Sequence, residues 1–199
     1  MMTATLAKLL WLLGIAGWFV IRYPFQRRAR RLRVARSAGG TRDRLLIVVA
    51  AAGQFVIPAL YVAVSIGTGE PVPADYPFYP LAGWLGLVAL VGSLVLFRLT
   101  HKQLGRNWSV TLETRQEHKL VTDGLYAWVR HPMYTSFLLS AIAQLLLLPN
   151  WVAGPIGIVA FCILFVFRVG REEALMIETF GDGYRAYMRR TARIVPWVF

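Results

Sequence analysis

The sequence predicts an all-α integral membrane protein with about five transmembrane helices. Three observations lead to this fold class: the composition is strongly apolar, the apolar residues collect in five stretches, and the basic residues fall between alternate stretches. Of the 199 residues, 57% are hydrophobic and 16% are charged, whereas a soluble domain has roughly 45–50% apolar and about 25% charged residues. That balance excludes a disordered chain and disfavours an ordinary soluble enzyme.

Each apolar stretch approaches the roughly 20 residues that a bilayer core of about 30 Å requires. The stretches cover residues 6–21, 45–66, 81–97, 133–148 and 151–167. The second contains Gln54 and Pro58. Because backbone freed by a proline must be satisfied by protein within a membrane, we expect this helix to pack inside the bundle. Pro149 and Asn150 separate the last two stretches and predict a tight helical hairpin.

The distribution of positive charge predicts the orientation of the chain. The formal net charge is +12, and 21 of the 22 Lys and Arg residues follow the first, third or fifth stretch. By the positive-inside rule these segments are cytoplasmic, so the N-terminus lies outside and the C-terminus inside. The charge fits anionic membrane lipids better than nucleic acid, because no base-stacking aromatic residues are interleaved with the basic block after Phe25. The excess of Arg over Lys is typical of a high-GC bacterial genome and indicates a bacterial cytoplasmic membrane.

Polar residues divide the chain into two halves. Residues 1–98 form an N-terminal half of three transmembrane helices with a basic cytoplasmic loop. Residues 99–199 form a catalytic half, which consists of a cytoplasmic motif segment, the transmembrane hairpin 133–167 and a cytoplasmic tail. This half contains all three His residues, but their spacing and the single Cys complete no metal-ligand set, so no metal site is predicted.

Two segments of the catalytic half carry charged residues at a predicted membrane boundary. Arg130 and His131 directly precede the proline that begins the fourth helix, and a helix N-terminus suits an anionic group. Arg168 and Glu172 are four residues apart and share a helix face, while Glu173 points about 100° away. Ionisable residues at such a boundary either reach the interface or serve a site, so an ordinary surface ion pair remains the alternative.

Further motifs stand in a fixed order around the hairpin. They are the run 118–121, Gly124-x-Tyr126, Arg130-His131-Pro132-x-Tyr134, Glu172-Glu173 and Phe180-Gly181-x-x-Tyr184-x-x-Tyr187. As an ordered set, they make residues 100–199 resemble the isoprenylcysteine carboxyl methyltransferase family, a group of integral-membrane enzymes related to phospholipid N-methyltransferases. The first three apolar stretches match that family only in hydropathy.

The resemblance implies S-adenosyl-L-methionine as the cofactor, in a cytoplasm-facing pocket built from the C-terminal half. The cofactor-binding residues it implies are His118, Lys119, Leu120, Val121, Gly124, Tyr126, Arg130, His131, Pro132, Met133, Tyr134 and Glu172. It also implies that Arg168 lies by the carboxylate of the methyl acceptor. Two positions depart from the family pattern: Lys119 is usually apolar, and Thr111 stands where some members carry an amide.

The chemistry of methyl transfer agrees with this set of residues. The reaction requires positioning and exclusion of water, but neither a metal nor a covalent nucleophile. A carboxylate acceptor is already ionised at neutral pH, so a clamp such as Arg168 suffices. An amine acceptor would instead need a base, for which Glu173 is the nearest candidate.

We therefore expect a membrane methyltransferase that uses S-adenosyl-L-methionine and acts on a lipophilic or amphipathic acceptor. The family default is carboxyl O-methylation of a prenylcysteine-like group. A lipid amine and a small thiol remain alternative acceptors. An NADPH-dependent membrane reductase and a non-enzymatic membrane scaffold remain alternative functions.

Overall fold

The structure, a computed structural model, describes residues 2–29, 34–37, 39–105, 113–115 and 119–198, and in these ranges it is dominated by α-helices. They are α1 (Ala4–Ala29), α2 (Thr41–Ala51), α3 (Ile57–Thr68), α4 (Pro80–Leu104), α5 (Pro132–Leu147), α6 (Ile156–Phe180) and α7 (Asp182–Arg190). A π-helical segment, Ala52–Val56, joins α2 directly to α3, and a 3-10 helix, Gly124–Ala127, precedes α5.

The all-α prediction needs one small correction. Two short strands, β1 (Val34–Ser37) and β2 (Glu113–Arg115), pair antiparallel, with Val34 opposite Arg115 and Ser37 opposite Glu113. Both strands lie in connecting segments between helices, where hydropathy carries no signal for backbone pairing. The ribbon therefore links two loops that the charge pattern predicts on one side of the membrane.

Within the described ranges, three helices are long and apolar enough to cross a membrane: α1, the continuous helix Thr41–Thr68 and α4. Their outward faces carry aliphatic side chains that are more than half exposed, such as Leu13, Val20 and Val88, as expected of helices surrounded by lipid. Helix α5 is apolar but has only 16 residues. Helix α6 has 25 residues, and its apolar part, residues 156–167, is followed by a charged segment that begins at Arg168.

The apolar stretches predict the cores of the helices but not their ends. Helices α1, α4 and α6 all continue past their apolar stretches into basic or polar sequence. The reason is physical: hydropathy marks where contact with lipid ends, whereas backbone hydrogen bonding continues into the aqueous phase. The extension of α6 carries Glu172 and Glu173 on the same rigid helix as its apolar part.

The π-helical segment packs against the α5–α6 hairpin. Gly53 lies so close to Ala160 of α6 that an added Cβ would overlap it, as is common where membrane helices approach closely. Gln144 of α5 is fully buried and donates hydrogen bonds to the carbonyls of Gly53 (3.1 Å) and Ala153 (2.7 Å). Since Pro58 has no N–H to donate, this amide supplies a hydrogen bond that lipid could not. Leu45, Val48 and Leu60 are each more than 60% exposed, so this helix packs against the bundle on one face and does not lie inside it.

The C-terminal segment folds back against the start of α5. The Arg130 N–H donates to the carbonyl of Ala192 (2.8 Å), and the His131 N–H donates to the carbonyl of Arg193 (2.9 Å). In return, the Ala192 N–H donates to the carbonyl of Trp128 (3.3 Å). This short backbone ladder holds the residues before α5 close to the charged part of α6.

Candidate functional site

A cavity of about 450 Å³ lies between α1, the α2–π segment, α5, α6 and α7. Its volume is within the range of small-molecule sites, roughly 300–1,000 Å³. The α6 residues in its wall run from Phe161 to Phe180, so the cavity is elongated along this helix. Three zones follow one another: a membrane zone (Trp18, Phe19, Ile47, Ala50, Ala51, Phe55, Phe137, Phe161 and Leu164), a charged zone (Arg130, His131, Tyr134, Arg168 and Glu172) and an aromatic zone (Leu120, Val121, Tyr126, Met176, Phe180, Tyr184 and Tyr187).

Glu172 is the carboxylate that faces the cavity in the charged zone. The Tyr134 hydroxyl donates a hydrogen bond to its Oε2 (3.0 Å), and His131 Nδ1 lies 3.6 Å from its Oε1. Its side chain is still 32% exposed and faces the cavity. Two residues from the start of α5 therefore hold one carboxylate in place and leave it accessible to a ligand.

Glu173, the neighbouring carboxylate, points away from the cavity and is only 4% exposed. Its partners are Arg130 Nε (3.0 Å), His131 Nε2 (3.3 Å) and Arg193 Nη2 (3.0 Å). Burial would raise the pKa of Glu173, but hydrogen bonds from His131, Arg130 and Arg193 outweigh it and lower the pKa to about 2. A carboxylate with so low a pKa is a poor proton acceptor at neutral pH, so the arrangement does not favour Glu173 as a base.

His131 lies between the two carboxylates. Burial would lower the pKa of its imidazole, but hydrogen bonds with Glu172 and Glu173 and their negative charges outweigh burial and raise the pKa. Both ring nitrogens face a carboxylate oxygen, which favours the doubly protonated ring. The charged zone thus contains an imidazole ring that contacts one buried and one accessible carboxylate.

Arg130 connects this group to the C-terminal segment. Besides Glu173, its guanidinium donates to the carbonyl of Met188 (3.1 Å) and to the carbonyl of Thr191. The side chain is about nine-tenths buried. Arg130 therefore fixes the end of α7 against the segment that precedes α5, and it also forms part of the cavity wall.

Arg168 lines the charged zone, but its ion-pair partner comes from the N-terminal half of the chain. Arg168 Nε lies 3.2 Å from Oδ1 of Asp43 on α2. The Arg168 side chain is 11% exposed and that of Asp43 is fully buried. Arg168 is therefore not part of a solvated surface pair with Glu172, the alternative that its helical spacing left open.

Three tyrosines close the aromatic zone. The Tyr187 hydroxyl donates to the carbonyl of Tyr126 (2.6 Å), and the Tyr184 and Tyr187 rings meet edge to face at 5.8 Å. Burial raises the pKa of Tyr187 to about 12 and raises those of Tyr126 and Tyr184 as well. The phenols therefore remain protonated at neutral pH and offer ring surfaces to a ligand, without a negative charge.

The structure brings most of the predicted residues to this cavity. Its wall contains Lys119, Leu120, Val121, Tyr126, Arg130, His131, Met133, Tyr134, Arg168 and Glu172. His118 lies outside the described residues. Pro132 is not in the wall, because it occupies the first turn of α5, where its missing N–H leaves no helical bond unmade.

Gly124 is also absent from the wall, and the structure supplies another reason for a glycine there. Its φ of +57° lies in the left-handed region, and the Gln103 side chain packs where a Cβ would project. The Gln103 Oε1 accepts a hydrogen bond from the Leu125 N–H (3.1 Å). Gly124 therefore shapes the loop that carries Tyr126, rather than lining the cavity.

Helices α1 and α2 supply much of the membrane zone, although no site residue was predicted in the first three apolar stretches. Polar residues within these apolar helices were the available signal. Arg22, Gln26 and Gln54 all line the cavity, and the Gln54 amide donates to the Ser140 hydroxyl (2.9 Å). The cavity is therefore built from both halves of the chain.

Known proteins share the part of the chain that forms the charged zone. Residues 84–178 match the isoprenylcysteine carboxyl methyltransferase (ICMT) family. The protein-S-isoprenylcysteine O-methyltransferase of Schizosaccharomyces pombe is 35% identical over 98 residues, which cover 48% of this chain and 42% of the relative. The protein-S-isoprenylcysteine O-methyltransferase B of Arabidopsis thaliana is 32% identical over 119 residues, or 57% of this chain and 58% of the relative.

A solved structure described as the eukaryotic intramembrane Ras methyltransferase ICMT shares the fold. The TM-score is 0.54 at 24% identity, and the match covers 76% of this chain and 52% of that chain. The chain thus spans about half the length of the relatives it matches. Over residues 84–178, the chain is therefore similar to the isoprenylcysteine carboxyl methyltransferase family and to these relatives.

Proposed function

We propose that the protein is a membrane methyltransferase that uses S-adenosyl-L-methionine to methylate the carboxylate of a lipophilic acceptor. A prenylcysteine-like group is the first acceptor class, because the matched relatives are named isoprenylcysteine O-methyltransferases. The observation that carries the proposal is the order of zones in one cavity. An accessible carboxylate and a guanidinium lie between an apolar zone at membrane depth and a zone of aromatic rings.

The residues present fit the cofactor. Glu172, held by Tyr134 and His131 yet open to the cavity, suits an ammonium or sulfonium group. The aromatic zone, with Tyr126 and Tyr184, suits the faces of a purine ring. When bound, S-adenosyl-L-methionine would supply a sulfonium methyl group for a carboxylate oxygen, giving a methyl ester and a neutral thioether without a proton transfer.

The chain itself positions the acceptor. Arg168 presents a planar guanidinium, the group best suited to hold a carboxylate by two parallel hydrogen bonds. The membrane zone next to it takes an apolar chain and excludes water. Because a carboxylate is ionised at neutral pH, no base is required, and the low pKa of Glu173 disfavours the amine alternative.

We place the charged zone on the cytoplasmic side, with five spans, the N-terminus outside and the C-terminus inside. The support is that 21 of the 22 basic residues follow the first, third or fifth apolar stretch. A reporter fused after Phe199 should read cytoplasmic, and one inserted near Asp75 should read external. An external C-terminus would contradict the proposed topology.

The function is tested with purified protein in detergent. Isothermal titration calorimetry should detect binding of S-adenosylhomocysteine and no binding of NADPH. A membrane reductase would instead bind NADPH, and a scaffold would bind neither. Methyl transfer is then measured with N-acetyl-S-farnesylcysteine, with a lipid amine and with a small thiol as acceptors. Transfer to the farnesylcysteine carboxylate supports the proposal, and transfer to the amine or thiol alone would overturn the choice of acceptor.

A further inference from the structure

A buried ion pair connects α2 to the charged zone. Asp43 lies in the first turn of α2 and is fully buried, and its Oδ1 is 3.2 Å from Nε of Arg168. Arg168 is part of the cavity wall, whereas Asp43 lies behind it and does not reach the cavity. The position of Asp43 also falls outside residues 84–178, the part matched by the family.

The burial of Asp43 needs an explanation. An acidic residue in the first turn of a helix is favoured by the helix dipole, but that effect operates equally well in an exposed position. Removing a carboxylate from water is costly unless a close partner compensates for it. Arg168 is such a partner, and it is itself only 11% exposed.

The two charged residues on this face of α6 are held by different helices. Glu172 is held by Tyr134 and His131, which belong to the start of α5. Arg168 is held by Asp43, which belongs to α2. Side chains four residues apart on a helix attract each other when their charges are opposite, so an anchor on Arg168 prevents it from collapsing onto Glu172.

We propose that Asp43 is a positioning residue for the methyl acceptor. By its ion pair with Arg168, it holds the guanidinium in the cavity wall and keeps that cation from neutralising Glu172. This inference rests on the proposed function, in which Arg168 holds the acceptor carboxylate. Asp43 touches neither acceptor nor cofactor and acts only through Arg168.

The test is a double-mutant cycle on methyl transfer to N-acetyl-S-farnesylcysteine, with Asp43→Asn, Arg168→Ala and the double variant. Asp43→Asn should lower kcat/KM for the acceptor by roughly tenfold or more, because misplaced positioning groups reduce rates strongly. The Kd for S-adenosylhomocysteine should change by less than about threefold. The double variant should be no slower than Arg168→Ala alone, because Asp43 acts through that residue.

The matched control is Arg42→Gln. Arg42 neighbours Asp43 on α2 and also contacts α6, with its guanidinium 5.5 Å from the centre of the Phe167 ring, but it is exposed and does not line the cavity. This variant should keep the kcat/KM of the wild type. A loss as large as that of Asp43→Asn would show that any weakened α2–α6 contact slows transfer and would overturn the specific role of Asp43.

Two further results would overturn the inference: an unchanged kcat/KM in Asp43→Asn, or losses that add in the double variant. If Asp43→Asn is not recovered folded, Asp43→Glu retains the charge and moves it by one methylene. A reduced kcat/KM at an unchanged cofactor Kd then supports positioning, and an unchanged kcat/KM refutes it. A wild type that binds S-adenosylhomocysteine but methylates no carboxylate refutes the proposed function and this inference with it, whereas an active wild type with a fully active Asp43→Asn refutes the inference alone.

Discussion

The two ends of the α5–α6 hairpin both bury polar side chains, but only one end leaves a polar group open to a cavity. At the turn, Asn150 is 3% exposed, and its side-chain amide forms hydrogen bonds with the groups around it. Its Oδ1 accepts the N–H groups of Val152 (3.0 Å) and Ala153 (2.9 Å), and its Nδ2 donates to the Pro73 carbonyl (3.0 Å) and to Asp75 Oδ1 (2.8 Å).

At the opposite end, the same hairpin carries His131, Glu172 and Glu173. Glu173 is surrounded by cations much as Asn150 is surrounded by its partners, whereas Glu172 is held by Tyr134 and remains 32% exposed at the cavity. A buried polar cluster is therefore not by itself a functional site. What distinguishes the charged zone is a polar atom that the protein holds in place without covering it.

The largest expected effect is at Glu173. In Glu173→Gln, the cations of Arg130 and Arg193 lose a buried carboxylate, and breaking a buried ion pair costs about 3–5 kcal/mol of the free energy of unfolding. Denaturant unfolding in detergent measures it. The control Asp182→Asn removes the partner of Arg185 in an exposed ion pair and should leave stability unchanged. Equal stability of the two variants would show that Glu173 contributes no more than a surface charge.

The same carboxylate should make stability depend on pH in the acid range. Its pKa is about 2 in the folded protein against 4.5 in an unperturbed carboxyl, so its contribution is present above pH 4.5 and is lost as the pH falls towards 2. The difference in unfolding free energy between the wild type and Glu173→Gln should therefore narrow over that interval. A difference that stays constant from pH 6 to pH 2 would contradict the lowered pKa.

At the turn, Asn150→Ala should reduce the free energy of unfolding by about 2–3 kcal/mol, because several buried hydrogen bonds worth roughly 1 kcal/mol each are lost. The Kd for S-adenosylhomocysteine, measured at a temperature at which both proteins are folded, should equal that of the wild type. A raised Kd would mean that the turn and the charged zone are coupled and would contradict this prediction.

Glu172→Gln should show the reverse pattern. We expect the Kd for S-adenosylhomocysteine to rise about 10- to 100-fold, because a hydrogen bond to a charged group contributes about 1.5–3 kcal/mol. The melting temperature without ligand should change little, since Glu172 is partly exposed and keeps a hydrogen-bonding amide in the variant. A large loss of stability with an unchanged Kd would show that Glu172 has a structural role and does not bind the cofactor.

The smallest expected effect is that of Tyr134→Phe. Loss of the hydroxyl removes one hydrogen bond to Glu172 Oε2, so the Kd for S-adenosylhomocysteine should rise by roughly threefold to tenfold. The matched control is Tyr61→Phe, because Tyr61 belongs to the separate hydrophobic cluster that contains Leu147 and Leu148. This variant should leave the Kd unchanged. Equal Kd values in both variants would show that Tyr134 does not orient Glu172 for binding.

Much of the fold follows from local features of the chain. The apolar stretches predict apolar helices, Pro132 predicts the start of α5, and Pro149 with Asn150 predicts the hairpin, all of which the structure contains. The order of motifs predicts a resemblance to the family, which the match of residues 84–178 bears out. These features need no knowledge of neighbours, because hydropathy and helix starts are properties of short segments.

The sequence alone therefore determined the apolar helices, the hairpin, the family resemblance and the set of residues near the charged zone. Only the tertiary structure decided what each of them contacts. Spacing placed Arg168 and Glu172 on one face of a helix, but packing chose Asp43 as the partner of Arg168 and buried Glu173 among cations. The reason is that periodicity specifies the direction of a side chain along its own helix, whereas its partner depends on which distant helix packs against that face.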